Sequence, residues 1–121
     1  MSESILVVDD QRELRLLVRI TLQPLGKIAT AESAEQALEH IRRVPTRLVV
    51  LDVWLGAGQS GLDFCRDLKN DPATEGIKVI LLSANGNQHD IDAGMAAGAD
   101  AYIVKPYSPR DLLVKATQLL H

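Results

Sequence analysis

In four places an apolar run of this 121-residue chain stops at a side chain that can bind a cation or an oxyanion. Ile5-Leu6-Val7-Val8 meets Asp9-Asp10, Leu48-Val49-Val50-Leu51 meets Asp52, Val79-Ile80-Leu81-Leu82 meets Ser83, and Ala101-Tyr102-Ile103-Val104 meets Lys105-Pro106. Three carboxylates gathered at one edge repel one another and raise at least one pKa. A divalent cation relieves that repulsion. Mg²⁺, which prefers carboxylates, water and phosphate oxygens, suits the donor set, and Mn²⁺ is an acceptable substitute. The Lys105 ammonium and the Ser83 hydroxyl add two further partners for a phosphoryl group. Metal, Lys105 and Ser83 could then each take one of its equatorial oxygens.

An ionised carboxylate needs no separate base to act as a nucleophile. Asp52 stands alone at its strand end and is the candidate phosphoacceptor. The Asp9-Asp10 pair would hold the metal, Asp10 most directly and Asp9 by ordering its water shell. Ala84, being small, would leave room beside Asp52. Each piece also has an ordinary structural reading: Asp9-Asp10 or Ser83 as helix caps, Lys105-Pro106 as a turn. Agreement of residue type with strand-end position four times over favours one joint site.

The elements that must position these groups are legible from periodicity. Each run is short, rich in Val, Ile and Leu, and apolar on both faces, as a strand inside a parallel sheet reads. In an open α/β sheet the carboxyl edge is where ligands bind. Leu14, Leu17, Val18, Thr21 and Leu22 keep helical spacing until Pro24 and Gly26, and a short strand is expected over 27–30. Ser33 and Gln36 have the form of a capping box for a second helix, burying Ala37, Leu38 and Ile41. Ser60 with Asp63 opens a third, which ends near Asn70-Asp71-Pro72. Asn87 opens a fourth, expected to carry Ile91 and Met95 inward and to stop at Gly98. Ser108-Pro109 with Asp111 opens a fifth, with Leu112, Leu113, Ala116, Leu119 and Leu120 on one stripe. Five alternations with short connections imply a single-domain α/β fold: a parallel sheet, right-handed crossovers and helices on both faces.

Composition excludes several function classes. A net charge of -3 without a basic cluster offers no electrostatic footprint for direct nucleic-acid binding. His40, His89 and His121 are scattered, and Cys65, the single cysteine, lies on an apolar helix stripe and reads as a buried hydrophobe in a reducing compartment. No run approaches the roughly 20 apolar residues of a membrane span, and no signal-peptide pattern opens the chain, so a cytoplasmic location is expected.

Taken together, Ile5-Leu6-Val7-Val8-Asp9-Asp10, Leu51-Asp52, Leu81-Leu82-Ser83-Ala84 and the segment from Gly98 to Tyr107 resemble the receiver domain of two-component response regulators, over essentially the whole chain. The resemblance implies a flavodoxin-like, doubly wound five-stranded sheet of order 2-1-3-4-5. It implies that residues 1–121 form a receiver without an output domain, a signalling module that is not an enzyme in the usual sense. Asp52 would accept a phosphoryl group from a sensor histidine kinase or phosphotransfer protein. Asp9, Asp10, Asp52 and the backbone carbonyl of Trp54 would bind Mg²⁺, and Lys105 would contact the phosphoryl group and hold a cis bond to Pro106. Ser83 and Tyr102 would switch on phosphorylation and alter the surface of the fourth helix, fifth strand and fifth helix. A downstream effector or a missing output domain would read that surface. Trp54 and Asn85 occupy positions that tune phosphate lifetime.

The loop after Asp52 departs from the family pattern, with Leu55-Gly56 where Met-Pro is usual and Gly61 one position late. Gly56 and Gly58 predict a looser loop. Tyr102 also has a plainer reading, as a strand aromatic packed beside Met95. Phosphorylation could pair two copies through the last helix, although Arg110, Asp111 and Lys115 also suit a solvated face. A small phosphohydrolase with an aspartyl-phosphate intermediate is the alternative, but the chain lacks an Asp-x-Asp pair after the first strand and a cap insertion. A flavin module is disfavoured because Asp9-Asp10-Gln11-Arg12-Glu13 would repel phosphate.

Overall fold

A computed structural model gives the architecture, and the structure describes residues 3–56 and 60–121. Five strands alternate with five helices: β1 Glu3–Val8, α1 Arg12–Leu22, β2 Gly26–Ala31, α2 Ala34–Arg43, β3 Leu48–Asp52, α3 Gly61–Asn70, β4 Lys78–Ser83, α4 Gln88–Ala96, β5 Ala101–Val104 and α5 Pro109–Leu120. The strands are all parallel, in the order β2-β1-β3-β4-β5. β2 extends one residue beyond the expected 27–30 at each end.

Strand pleating sorts the aliphatic residues into two cores. Leu6, Val8, Val49, Leu51, Val79 and Leu81 face α2 and α3, where they meet Ala37, Phe64, Cys65 and Leu68. Ile5, Val7, Leu48, Val50, Ile80 and Leu82 face α1 and α5, where they meet Val18, Leu22, Leu112 and Ala116. Burial on both faces explains why β1, β3 and β4 read as continuous apolar runs rather than as alternating ones. Cys65 is fully buried, and desolvation pushes its thiol up to about 11, so it packs as a hydrophobe.

The predicted caps are present. Ser33, Ser60, Asn87 and Ser108 each accept from the backbone N–H three residues on, at 3.2, 3.3, 2.9 and 3.3 Å. Gln36 reaches back to the N–H of Glu32, one residue earlier than a standard capping box. Gly98 ends α4 in the left-handed region at φ +100, and a side chain there would strike the stem of Lys69. Lys69 donates to Asp100 at 2.9 Å and to the carbonyl of Ile77 at 2.7 Å, while the Val79 N–H also donates to Asp100 at 2.8 Å. The amino ends of β4 and β5 are tied to α3 by this group.

Two helix faces differ from the periodic reading. Leu17 is 47% exposed, because Val18 and Leu22 already fill the space over the sheet and Leu17 falls at the margin of α1. Met95 is 45% exposed and is not carried inward. The buried residue of α4 is Gly94, where a Cβ would come within 2.7 Å of the Tyr102 ring and 3.1 Å of Leu81. The helix lies close over β5 at its glycine, which turns the next side chain, Met95, toward solvent.

Candidate functional site

Parallel register brings the chemistry-bearing residues to one edge. Val8 pairs with Leu51, Asp52 with Leu82 and Ser83 with Val104, so the residues that follow or end these strands share the carboxyl edge of the sheet. There the chain repeats one local device three times. The N–H of Gln11 donates to Asp9 Oδ1 at 2.9 Å, that of Trp54 to Asp52 Oδ1 at 2.9 Å, and that of Asn85 to Ser83 Oγ at 3.0 Å. Each is a turn in which a side chain captures the amide two residues on. The cap reading of Asp9-Asp10 does not hold, because the N-cap of α1 is Gln11, whose side chain makes no capping bond.

Lys105 reaches from the end of β5 past β4 and donates to Asp52 Oδ2 at 2.6 Å. Both partners are largely shielded, the Asp52 side chain 10% and the Lys105 side chain 24% exposed. The Lys105-Pro106 bond is cis. Above the pair lies a cavity of about 420 Å³, lined by Asp10, Gln11, Asp52, Val53, Trp54, Ser83, Ala84, Asn85 and Lys105. Asp10, Asp52, Trp54, Ser83, Asn85 and Lys105 therefore meet at one place, with small Ala84 among them.

Asp9 lies beside the cavity rather than on its wall, 3% exposed. Burial, aided by the neighbouring Asp52, raises its pKa to about 6, against the opposing pull of the Gln11 N–H and of Lys105. Arg15 donates to the Asp9 carbonyl at 2.8 Å and holds the turn from α1. Sequence reasoning passed over Arg15, since an arginine in the first turns of an amphipathic helix carries no distinguishing signal. Tyr102 is not on the cavity wall either. Its hydroxyl donates to the Asn85 carbonyl at 2.8 Å, so the backbone of Asn85 serves Ser83 on one side and Tyr102 on the other. Its ring packs over Gly94.

The described parts of the loop after Asp52 are anchored, against the expectation of looseness. Leu55 is buried, the Gly61 N–H donates to the Val53 carbonyl at 2.7 Å, and Trp54 bridges Ser60. A Cβ at Gly61 would lie 2.1 Å from the Asp52 carbonyl, so only glycine fits there. Gly58 and the rest of 57–59 lie outside the described residues. Trp54 itself is 68% exposed.

The donor set fits a hard divalent cation. Two buried carboxylates against one ammonium leave excess negative charge, and the exposed Asp10 carboxylate accepts no hydrogen bond and forms no ion pair among the described residues. The Gly61–Val53 bond flanks the Trp54–Ser60 pair, which turns the N–H and C=O of Trp54 away from Ser60. The N–H goes to Asp52, and the carbonyl accepts no hydrogen bond among the described residues. Among the described residues no three acidic, His or Cys side chains converge tightly enough to enclose a metal. A cation here would draw on backbone, water or phosphate oxygens as well, as Mg²⁺ does.

Comparison with known proteins agrees with this geometry. The family model for the response regulator receiver domain matches residues 5–117. The chain belongs to that family. This receiver domain is 36% identical over 121 residues to the phosphate regulon transcriptional regulatory protein PhoB of Pseudomonas aeruginosa, covering 99% of the chain and 52% of PhoB. It is 36% identical over 116 residues to the DNA-binding response regulator MtrA of Mycobacterium leprae, covering 95% of the chain and 50% of MtrA. The BeF3-activated receiver domain of DrrB, an OmpR/PhoB homologue of Thermotoga maritima, superposes with a TM-score of 0.90 at 34% identity, over 99% of this chain and 98% of that one. The chain spans about half the length of the curated relatives it matches. It is a two-component signalling module rather than a classical enzyme. No described helix is long and apolar enough to cross a membrane.

The raised pKa of Asp9 has a signed consequence for stability. A carboxyl whose folded pKa exceeds its unfolded value of 3.8 contributes stability that is fully present below 3.8 and lost as pH rises through about 6. In metal-free protein, Asp9→Asn is therefore expected to match wild type near pH 4 and to melt higher by about 4 °C at pH 7, the size that ~1 kcal/mol produces. Thermal melts in EDTA at the two pH values check this; an equal offset at both would contradict it.

Proposed function

We propose that this receiver domain takes a phosphoryl group onto Asp52 from the phosphohistidine of a sensor histidine kinase or phosphotransfer protein, in a Mg²⁺-dependent reaction. The observation that carries the reading is the 2.6 Å Lys105–Asp52 pair at the floor of a cavity that also holds Asp10, Trp54 and Ser83. An Asp52 oxygen attacks phosphorus, the P–N bond breaks, and the imidazole leaves with its electron pair. Lys105 holds the carboxylate in place and can swing its ammonium to an incoming phosphoryl oxygen. Asp10, the second Asp52 oxygen and the Trp54 carbonyl would hold Mg²⁺, with Asp9 ordering its water. The bound ion would offset the charge of the phosphoryl oxygens.

The Ser83 hydroxyl would leave the Asn85 N–H to meet the third phosphoryl oxygen, and the Asn85 carbonyl on the next peptide would release Tyr102. The surface of α4, β5 and α5 would then change, with phosphorylation selecting one of two states. An effector protein, an output domain or a second copy of the chain would read it. The whole relatives named above are transcriptional or DNA-binding regulators, which favours an output domain. Trp54 and Asn85 border the cavity where water would attack the acyl phosphate, and the indole would shield it.

A second depression of about 530 Å³, walled by Leu14, Leu17, Pro106, Tyr107 and Pro109, shares Ala84 and Lys105 with the acid cavity. Its continuity with the acceptor makes it the proposed seat of the apolar surface around the donor histidine.

Three outcomes are expected. With Mg²⁺ and acetyl phosphate, intact mass should rise by one phosphoryl group, labile to hydroxylamine and absent in Asp52→Asn; no gain with any donor would refute the reading. Leu17→Asp should slow transfer from a phosphorylated histidine protein at least about tenfold, the cost of roughly 1.4 kcal/mol, while acetyl phosphate still works. Loss of both would argue against a docking role. Trp54→Ala should shorten the phosphate lifetime several-fold, as followed by loss of the added mass; an unchanged lifetime would remove shielding from its role.

A further inference from the structure

The Asp10 carboxylate has no hydrogen-bonding or ionic partner among the described residues, so what it abuts sets its position. What it abuts is the backbone at Gly56. A Cβ built at Gly56 would lie 2.6 Å from Asp10 Oδ2 and 3.5 Å from its Cγ. Gly56 also has φ +73, in the left-handed region that suits glycine and that proline cannot enter. Beside it Leu55 is buried in the core formed with α2 and α3, which pins the loop and keeps this wall from backing away.

We infer that Gly56 is a positioning residue of the metal site: its bare backbone, held by Leu55, forms the wall against which the Asp10 carboxylate rests at the cavity it lines with Asp52. This rests on the Mg²⁺ reading above. The Leu55-Gly56 departure from the usual Met-Pro is then not a slack connection. Proline at this place would fix φ near -65°, and the chain could not follow the same path over Asp10. A methyl group at 56 and the carboxylate at 10 cannot both occupy the space, so either Asp10 rotates away or the loop lifts. Both outcomes spoil the cation cradle without removing a ligand.

The test compares Mg²⁺ affinity of wild type, Gly56→Ala and Gly76→Ala, by titration calorimetry or by the emission of exposed Trp54. Gly76 is the control, since a Cβ there meets nothing within 4 Å. Gly56→Ala is expected to bind Mg²⁺ at least about tenfold more weakly, the range seen when the support of a metal ligand is removed, with Gly76→Ala unchanged. An affinity within about twofold of wild type overturns the inference and leaves the Mg²⁺ reading standing; a wild type that binds no Mg²⁺ overturns both. A purely structural role would lower stability without acting through Asp10. Metal-free melts therefore complete a cycle with Asp10→Ala. Gly56→Ala should cost less stability in the Asp10→Ala background, where the clash is gone. Equal costs in the two backgrounds, or failure to fold in both, overturn the assignment.

Discussion

Asp9 and Asp52 stand side by side at the ends of neighbouring strands, both closed to water, with the Lys105 ammonium held against one of them. Burial of like charges is costly, and the fold keeps this imbalance because both groups follow strands that are packed on either face. β3 and β5 are separated by β4, about 10 Å of sheet at the usual strand spacing, so Lys105 can reach Asp52 only where β4 ends in small side chains. Ser83 and Ala84 satisfy that requirement. The charged pair, the small residues between and the register of four strands are one constraint seen from different positions.

The same edge is wired through backbone rather than through side chains alone. Asp9, Asp52 and Ser83 are each held by an amide two residues on, and Lys105 adds a distant partner only at Asp52. At Asn85 the same backbone meets two side chains, its N–H donating to Ser83 and its carbonyl accepting from Tyr102.

Much of this was legible in the residues. Strands buried on both faces announce themselves as unbroken aliphatic runs, and Ser33, Ser60, Asn87 and Ser108 mark helix starts through chemistry local to three or four residues. The acid, base and hydroxyl were readable because each closes such a run. What periodicity could not reach depends on how elements lie against one another. The exposure of Met95 follows from the close seating of Gly94 on Tyr102, a contact made across 8 residues and two elements. Over its described residues the glycine-bearing loop is anchored rather than loose because Leu55 is buried in the core, and a single leucine between Trp54 and Gly56 gives no periodic signal. Arg15 reaches the Asp9 carbonyl from α1, and an arginine there does not single itself out.

At the opposite edge of the sheet, Lys69 and Asp100 tie α3 to the starts of β4 and β5, far from Asp52. The described residues thus carry two lysine–aspartate pairs, one at each end of the strands. The pair at the amino edge ties backbone and helix together, whereas the Lys105–Asp52 pair borders an open cavity. Integrity of the scaffold is thereby separated from the chemistry it hosts. Loops on the carboxyl side are free to diversify toward new donors and new readers while the other end keeps the sheet together, which is the kind of division that lets one architecture be reissued for many signals.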